Sequence, residues 1–352
     1  MNLVTISQQV INKLQLSLLN LMEGHMEQTG FLNADFRTCL SHLMQHGLEA
    51  HPRGTSTREL LNYNITLADP RNRVIMFPER NTNTKYLLGE LIWYFTGSND
   101  PAGILPYSKF WDNIRNSGEV KGYDEGSINS NYGHRLFGHN TQPAFADPFM
   151  DLDLGLNQWQ ETVLLLSRDK DSRQAIMNIH VPHDRHVGNK DVPCTLTLQW
   201  LIREDRLCLI VNMRSNDVIL GFTNDVFQFT MLQECMLLEL RKTYPDLKLG
   251  HYFHNAGSMH VYDRHYTMAD SIIANERAVD VSMIEMDAFT DDICTGLLGV
   301  ENAWQDAGAP ADFNFQELDA WKLLTPYWQT LVLAFYAKQE DALHAIFGQE
   351  HE

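Results

Sequence analysis

Cys194 opens a run of alternating apolar residues, and a second such run ends on Arg214, Ser215, Asn216 and Asp217. Thr195–Arg203 and Arg206–Met213 read as strands because alternate positions stay apolar, and Glu204-Asp205 between them reads as a hairpin turn. A hairpin would set the thiol beside an arginine, a serine and an acid. A neighbouring cation favours the thiolate, which is the nucleophilic form of cysteine. Gly221, Asp225 and a helical run, Val226–Lys242, follow at once. The cluster suits an anionic substrate attacked by sulfur. It also suits a strand end that is merely polar, because a free cysteine is most often a small buried hydrophobe.

Other residues admit two readings each. Glu90 sits in GELIWYF; it is either a surface glutamate or, given Leu87, Leu88, Leu91, Ile92 and Trp93 around it, a partly buried acid with a raised pKa. Asp225 directly precedes the helical run and would serve equally as its N-cap. Arg53 and Arg173 have nothing local to distinguish them from surface arginines. His260 could act as base to Cys194 in a Cys–His hydrolase, although no third, orienting residue is evident.

These residues must be held by a mixed set of elements. Residues 1–50 read as helical, with Val10, Leu14, Leu18, Leu19 and Met22 at helical spacing. Glu49–Thr57 is a loop broken by Pro52 and Gly54, and Leu60–Leu67 a strand. Lys85–Phe95 and Gln158–Arg168 read as helices, Arg173–Val181 as a buried strand, and His251–Tyr266 as the start of another. Asp100–Gly138 is rich in Gly, Asn and Ser and too long for a plain connection, which marks a functional loop region. Helices and strands mix without regular βα alternation. The expectation is α+β in one domain over residues 1–352, with a core at about 30–270 and a mainly helical extension over 271–352.

Composition narrows the function. The chain has 352 residues and a net charge of −18, which argues against sequence-independent DNA binding, where phosphate contacts dominate affinity. A few arginines in one pocket can still hold a nucleotide phosphate. The acid excess falls partly in Asp147–Asp153 and Asp280–Asp292. Five cysteines without a CxxC pair disfavour a disulfide framework or zinc site, and no metal is expected. No run is apolar enough to cross a bilayer, and no signal peptide is visible, so a cytoplasmic location is expected.

Eight segments, in order, resemble the thymidylate synthase family: PRGTST (52–57), GELIWYF (89–95), FWDN (110–113), NSNYG (129–133), DSR (171–173), VPCTLTLQW (192–200), RSNDVILGFTND (214–225) and GSMHVY (257–262). The resemblance implies a thymidylate synthase-like fold, with a large mixed sheet flanked by helices. It also implies a nucleophile, Cys194, that attacks C6 of a pyrimidine nucleotide, whose C5 then takes a one-carbon unit from 5,10-methylenetetrahydrofolate. Glu90 would manage protons around the ring and Tyr132 would join the proton network. Arg53, Arg214 and Ser215 would hold the 5′-phosphate, and Asn216 and Asp217 would count among the substrate-binding residues. Arg173 would reach that phosphate from the partner subunit of a homodimer. His260 and Tyr262 would bond the sugar 3′-hydroxyl, and Trp111, Asp217, Leu220 and Gly221 would face the folate.

Departures from the family pattern point to the base. Eleven residues after Arg214, where thymidylate synthase carries asparagine, this chain has Asp225. An amide matches the N3 donor and O4 acceptor of uracil. Cytosine shows the opposite pattern, and a carboxylic acid answers it by donating toward N3 and accepting from the amino group. Donation to N3 also drains electrons from the ring and makes C6 a better target, so Asp225 counts among both catalytic and substrate-binding residues. Thr195 replaces the usual histidine, Gln174 replaces a frequent second arginine, and INSNYG and NMRSND look more like the phage deoxycytidylate hydroxymethylases. The resemblance therefore implies dCMP as substrate and a phage enzyme working in the host cytoplasm. The C5 methylene left on the ring would take water to give 5-hydroxymethyl-dCMP. In a dry site, hydride from the folate would give 5-methyl-dCMP. The resemblance fades beyond Tyr266, and no equivalent of the family's short C-terminal closing segment can be placed. A non-catalytic nucleotide-binding homologue is the reading from another class.

Overall fold

The computed structural model describes residues 28–115, 128–138, 156–185, 191–277 and 279–348. The helical spacing at Val10–Met22 and the acidic run Asp147–Asp153 lie outside the described residues. Helix α1 is Leu32–His46, followed by strands β1 (Leu48–Ala50) and β2 (Thr57–Leu67). Helices α2 (Thr84–Phe95), α3 (Lys109–Arg115), α4 (Tyr132–Phe137) and α5 (Gln158–Arg168) precede β3 (Ile176–Asn178). The hairpin β4 (Thr195–Arg203) and β5 (Arg206–Met213) leads to β6 (Asn216–Asp217), α6 (Gly221–Arg241) and β7 (Lys248–Tyr262). Beyond β7 come α7 (Tyr266–Ala274), α8 (Asp291–Asp306), α9 (Pro326–Phe335) and α10 (Glu340–Phe347).

The strands form one sheet in the order β1-β2-β7-β5-β4-β3, with β6 beside β7. β7 pairs in parallel with β5 and β6 and antiparallel with β2, so the sheet is mixed and the class is α+β. Glu204 and Asp205 both take left-handed backbone, φ 50° and 55°, the conformation that matches a two-residue loop to strand twist. One sheet face is fully buried through Leu198, Trp200, Leu209, Val211 and Tyr252. The other leaves Leu61 at 62% and Ile176 at 43% exposure.

Three expectations change. Arg173–Val181 contributes only the three-residue edge strand β3, because Ala175, Met177 and Ile179 turn inward while Ile176 turns out. The loop at 49–57 contains part of β1 and a short 3₁₀ turn, Pro52–Gly54, in which Arg53 has φ 52°. The region 100–138 contains α3 and α4 rather than loop alone.

Helix α6 is buried on nearly every side, wedged between sheet and α2. Gln233 donates to the carbonyl of Leu207 in the sheet (2.9 Å), and Gln228 donates to the carbonyl of Leu87 on α2 (2.9 Å). Glu234, also on α6, takes ion pairs from Arg73 (2.5 Å) and Arg71 (2.7 Å) and the backbone N–H of Met286 (3.0 Å). Burial alone would raise its carboxyl, but the two guanidiniums more than offset it and hold it charged. That knot ties the start of the extension to the core.

Candidate active site

Cys194 stands just before β4, and β5 brings Arg214 back beside it. The amide of Arg214 donates to the carbonyl of Cys194 at 2.8 Å. The guanidinium of Arg214 lies 3.5 Å from the sulfur and is itself held by the carbonyls of Val192 and Pro193, both at 2.9 Å. The hydroxyl of Ser215 is 3.8 Å from the sulfur. Arg214 and Ser215 therefore favour the thiolate, but they do not prevail. Burial outweighs them, Asp225 adds to it, and the thiol is pushed above its ordinary value. No histidine bonds this sulfur among the described residues. The ring of His260 faces the carbonyl of Ser258 (3.4 Å), so a Cys–His pair is not formed.

Tyr132, at the start of α4, reaches the same strand end. Its hydroxyl accepts the amides of Cys194 (3.2 Å) and Thr195 (3.1 Å), so its own proton points elsewhere. A buried cluster fixes this approach. Asp191 accepts the amides of Asn129 (2.7 Å) and Ser130 (3.0 Å), while Asp184 binds Arg135 through both oxygens (2.7 and 2.8 Å) and takes Nδ2 of Asn129 (3.0 Å). Asn131 caps α4 through the amide of His134. The loop carrying NSNYG is thereby locked against the segment that ends in Cys194.

Glu90 is buried, the second of the two readings its sequence allowed. Tyr86 donates to its Oε1 (2.8 Å), Gln228 donates to its Oε2 (3.1 Å), and Trp111 donates to the Tyr86 hydroxyl (3.3 Å). Burial and then the charge of Asp225 push its carboxyl up to about 8. Asp225 lies within α6, five residues after its N-cap, Leu220, so Asp225 is not the N-cap that its place before the apolar run allowed. Burial pushes Asp225 up to about 7, against the pull of Asn216, whose Nδ2 donates to Asp225 Oδ2 at 2.6 Å. Oδ1 of Asn216 is buried without a partner. A side chain at Gly221 would crowd this pair, because its Cβ would stand 3.3 Å from the Asn216 amide nitrogen. Asp225 lies close enough to Cys194, Tyr132 and Glu90 for its charge to raise all three, so the four groups lie in one neighbourhood.

The other flank holds Arg53 and Tyr262, both close enough to shift groups around Cys194. The rings of His260 and Tyr262 meet edge-on at 5.1 Å. Burial lowers the pKa of His260, with Asp217 pulling the other way. Asp217 pairs with His260 in the sheet, and its Oδ1 accepts the amide of Ile219 (2.9 Å), shaping the turn into α6. Leu220 is 44% exposed and Phe110 is 58% exposed, with Trp111 half-buried beside it.

Arg173 is the exception. It is exposed, and its carbonyl accepts from Gln199 in mid-β4, several strand residues away from Cys194. Within one chain it does not join the cluster. Three residues went unnoticed in the sequence: Gln228, which bonds Glu90; Tyr86, four residues before Glu90 on the same helix face; and Arg80. Arg80 donates to the carbonyl of Ile219 (2.5 Å) and to Thr223 (3.0 Å), tying down the start of α6. Only Tyr86 had a signal, its i,i+4 spacing from Glu90.

Comparison with known proteins agrees with this geometry. The thymidylate synthase family model matches residues 34–295. The chain is 33% identical over 197 residues to a deoxycytidylate 5-hydroxymethyltransferase of Enterobacteria phage T6, covering 53% of this chain and 71% of that protein. It is 30% identical over 226 residues to a deoxyuridylate hydroxymethyltransferase of Bacillus phage SP01, covering 63% of this chain and 55% of that protein. A thermostable thymidylate synthase A from Bacillus subtilis shares the fold with a TM-score of 0.55 at 20% identity, over 73% of this chain and 86% of that one. With a matched stretch that spans the sheet, the cysteine and α6, the chain belongs to the thymidylate synthase family, a family of one-carbon transferases.

Proposed function

We propose that the protein hydroxymethylates dCMP at C5, using 5,10-methylenetetrahydrofolate as the source of the one-carbon unit. The observation that carries this reading is the Asn216–Asp225 pair. Asp225, pushed up to about 7, retains a proton near neutral pH and can donate it to N3 of cytosine, while its other oxygen accepts from the exocyclic amine. The unpartnered Oδ1 of Asn216 is a further acceptor in the same place. Uracil would bring a carbonyl oxygen to these acceptors and leave them unpaired, which a buried site rejects.

In this reading Arg53, Arg214 and Ser215 bind the 5′-phosphate, and the Cys194 thiolate adds to C6. His260 and Tyr262 bond the sugar 3′-hydroxyl, and Trp111, Asp217, Leu220 and Gly221 line the folate side with Phe110. Glu90, neutral or charged near its raised pKa, and Tyr132 move protons about the ring. After C5 has accepted the carbon and tetrahydrofolate has left, water adds to the C5 methylene, and Cys194 departs from C6. Arg173 completes the phosphate site from a second copy across the uncovered sheet face, where Leu61 and Ile176 stay exposed in the single chain. The two phage relatives named above are hydroxymethyltransferases of different bases, so the base must be tested directly. Parallel kcat/KM measurements on dCMP and dUMP should favour dCMP by about 10²-fold or more. Equal values, or a preference for dUMP, would overturn the assignment.

A further inference from the structure

The matched family stretch stops at residue 295, yet residues beyond it reach the helix that carries Glu90. Tyr107 lies flat against Gly89, the neighbour of Glu90 on α2; a Cβ on Gly89 would come 2.3 Å from the Tyr107 ring. The Tyr107 hydroxyl donates to Oε1 of Glu301 on α8 (2.7 Å) and lies 3.1 Å from the hydroxyl of Tyr336, just after α9. Glu301 is 4% exposed and has no ion pair among the described residues. Tyr336 stacks on Trp304 (4.3 Å), over which Lys85 of α2 sits at 4.8 Å. Thr84, the first residue of α2, donates to the carbonyl of Phe335 (3.1 Å). Two elements of the extension thus grip α2, the helix that carries Glu90.

We infer that Glu301 is a positioning residue for catalysis: through Tyr107, seated in the notch at Gly89, the C-terminal extension sets where the Glu90 carboxyl stands. A buried acid with no ion pair among the described residues is a costly way merely to hold two tyrosines, since apolar groups of the same shape would pack there at no such cost. An oriented acceptor, by contrast, fixes the tyrosine hydroxyl and so the ring that fills the notch. Displacements of about 1 Å at a proton-transferring group lower turnover by about 10²-fold.

The inference rests on Glu90 acting as the proton manager. Three variants of the full chain test it: Glu301→Leu, Glu301→Gln and Tyr107→Phe. Each is assayed with whichever of dCMP and dUMP the wild type turns over, so an error in the base does not enter the result. Glu301→Leu and Tyr107→Phe should lose about 10- to 100-fold in kcat with KM for the nucleotide within about threefold. The pH limb of kcat should shift in both, and Glu301→Gln, which keeps the acceptor, should restore turnover. A melting temperature that is unchanged or higher for Glu301→Leu, with the same loss of kcat, would separate positioning from stability. If Glu301→Leu fails to fold, Tyr107→Phe carries the same expectation. Turnover and pH profile within about twofold of wild type in the folded variants would overturn the inference.

Discussion

The amide nitrogen of Asn216 donates to one oxygen of Asp225 at 2.6 Å, while its own oxygen is buried with nothing to accept. β6 supplies the first residue and α6 the second, nine positions later, so the turn at Val218–Leu220 builds the pair. Asp225 Oδ2 thereby takes one hydrogen bond from Asn216, and in the proposed reading the rest of the pair's donors and acceptors serve the base edge.

Asp225→Asn should therefore move selectivity toward dUMP. The amide offers N3 of uracil an acceptor and O4 a donor, and the kcat/KM ratio of dCMP to dUMP should fall by about 10²-fold or more. Steady-state kinetics on both nucleotides check this. An unchanged ratio would mean that another residue reads the base.

Asn216→Ala should leave selectivity partly intact but weaken dCMP binding. Leaving a buried hydrogen-bonding group unsatisfied costs about 1–3 kcal/mol, which corresponds to about 5- to 150-fold in KM. Freed from the Asn216 amide, the Asp225 carboxyl should titrate higher still, because that bond is what holds it down. A shift of the alkaline limb of kcat/KM, which the protonated Asp225 controls, to lower pH would contradict this.

Cys194→Ala should abolish turnover while leaving the fold in place, since the side chain is only half-buried. Tyr132→Phe keeps the ring but strips the acceptor from two amides at the nucleophile. A drop of about 10-fold or more in kcat is expected, with a lower melting temperature. Normal turnover in Cys194→Ala would remove the covalent mechanism.

The raised acids also govern stability. Glu90 and Glu301 are each pushed up to about 8 by burial, against an ordinary value of 4.5. Between those values the folded chain holds more protons than the unfolded one, so stability falls as pH rises from about 4.5 to about 8. Glu301→Gln removes one of these groups. Its melting temperature should decline less than that of wild type across that window, as read by thermal melts at a series of pH values.

A mixing experiment tests the proposed role of Arg173. Separately inactive Arg173→Ala and Cys194→Ala chains, unfolded together and refolded, would form mixed dimers with one intact site each. If Arg173 serves the partner's phosphate site, about a quarter of wild-type activity should return, because random pairing makes about half the dimers mixed. No recovery would place Arg173 outside the site.

Legibility in the sequence followed the range of the interactions. The hairpin 195–213 and the helix at 158–168 were readable because their periodicity is local, and the burial of Glu90 was readable because its neighbours on every side are apolar. Asp225 could not be told from an N-cap, since Gly221–Asn224 shows no helical signal before the apolar run begins. The strand at 173–181 shrank to β3 because an edge position needs only alternate residues buried. The Asp184–Arg135–Asn129 cluster and the reach of Glu301 to Tyr107 join residues far apart in the chain, so no spacing announces them. Arg173 has no local mark, and its proposed partner is a second chain.

The central claim is that this site puts a hydroxymethyl group on cytosine. The most direct measurement is a mass spectrum of dCMP after incubation with the purified protein and 5,10-methylenetetrahydrofolate. The account predicts 5-hydroxymethyl-dCMP. A methyl product would keep the substrate and show that water is excluded at the last step. Unaltered dCMP beside a modified dUMP would contradict the reading of Asn216 and Asp225.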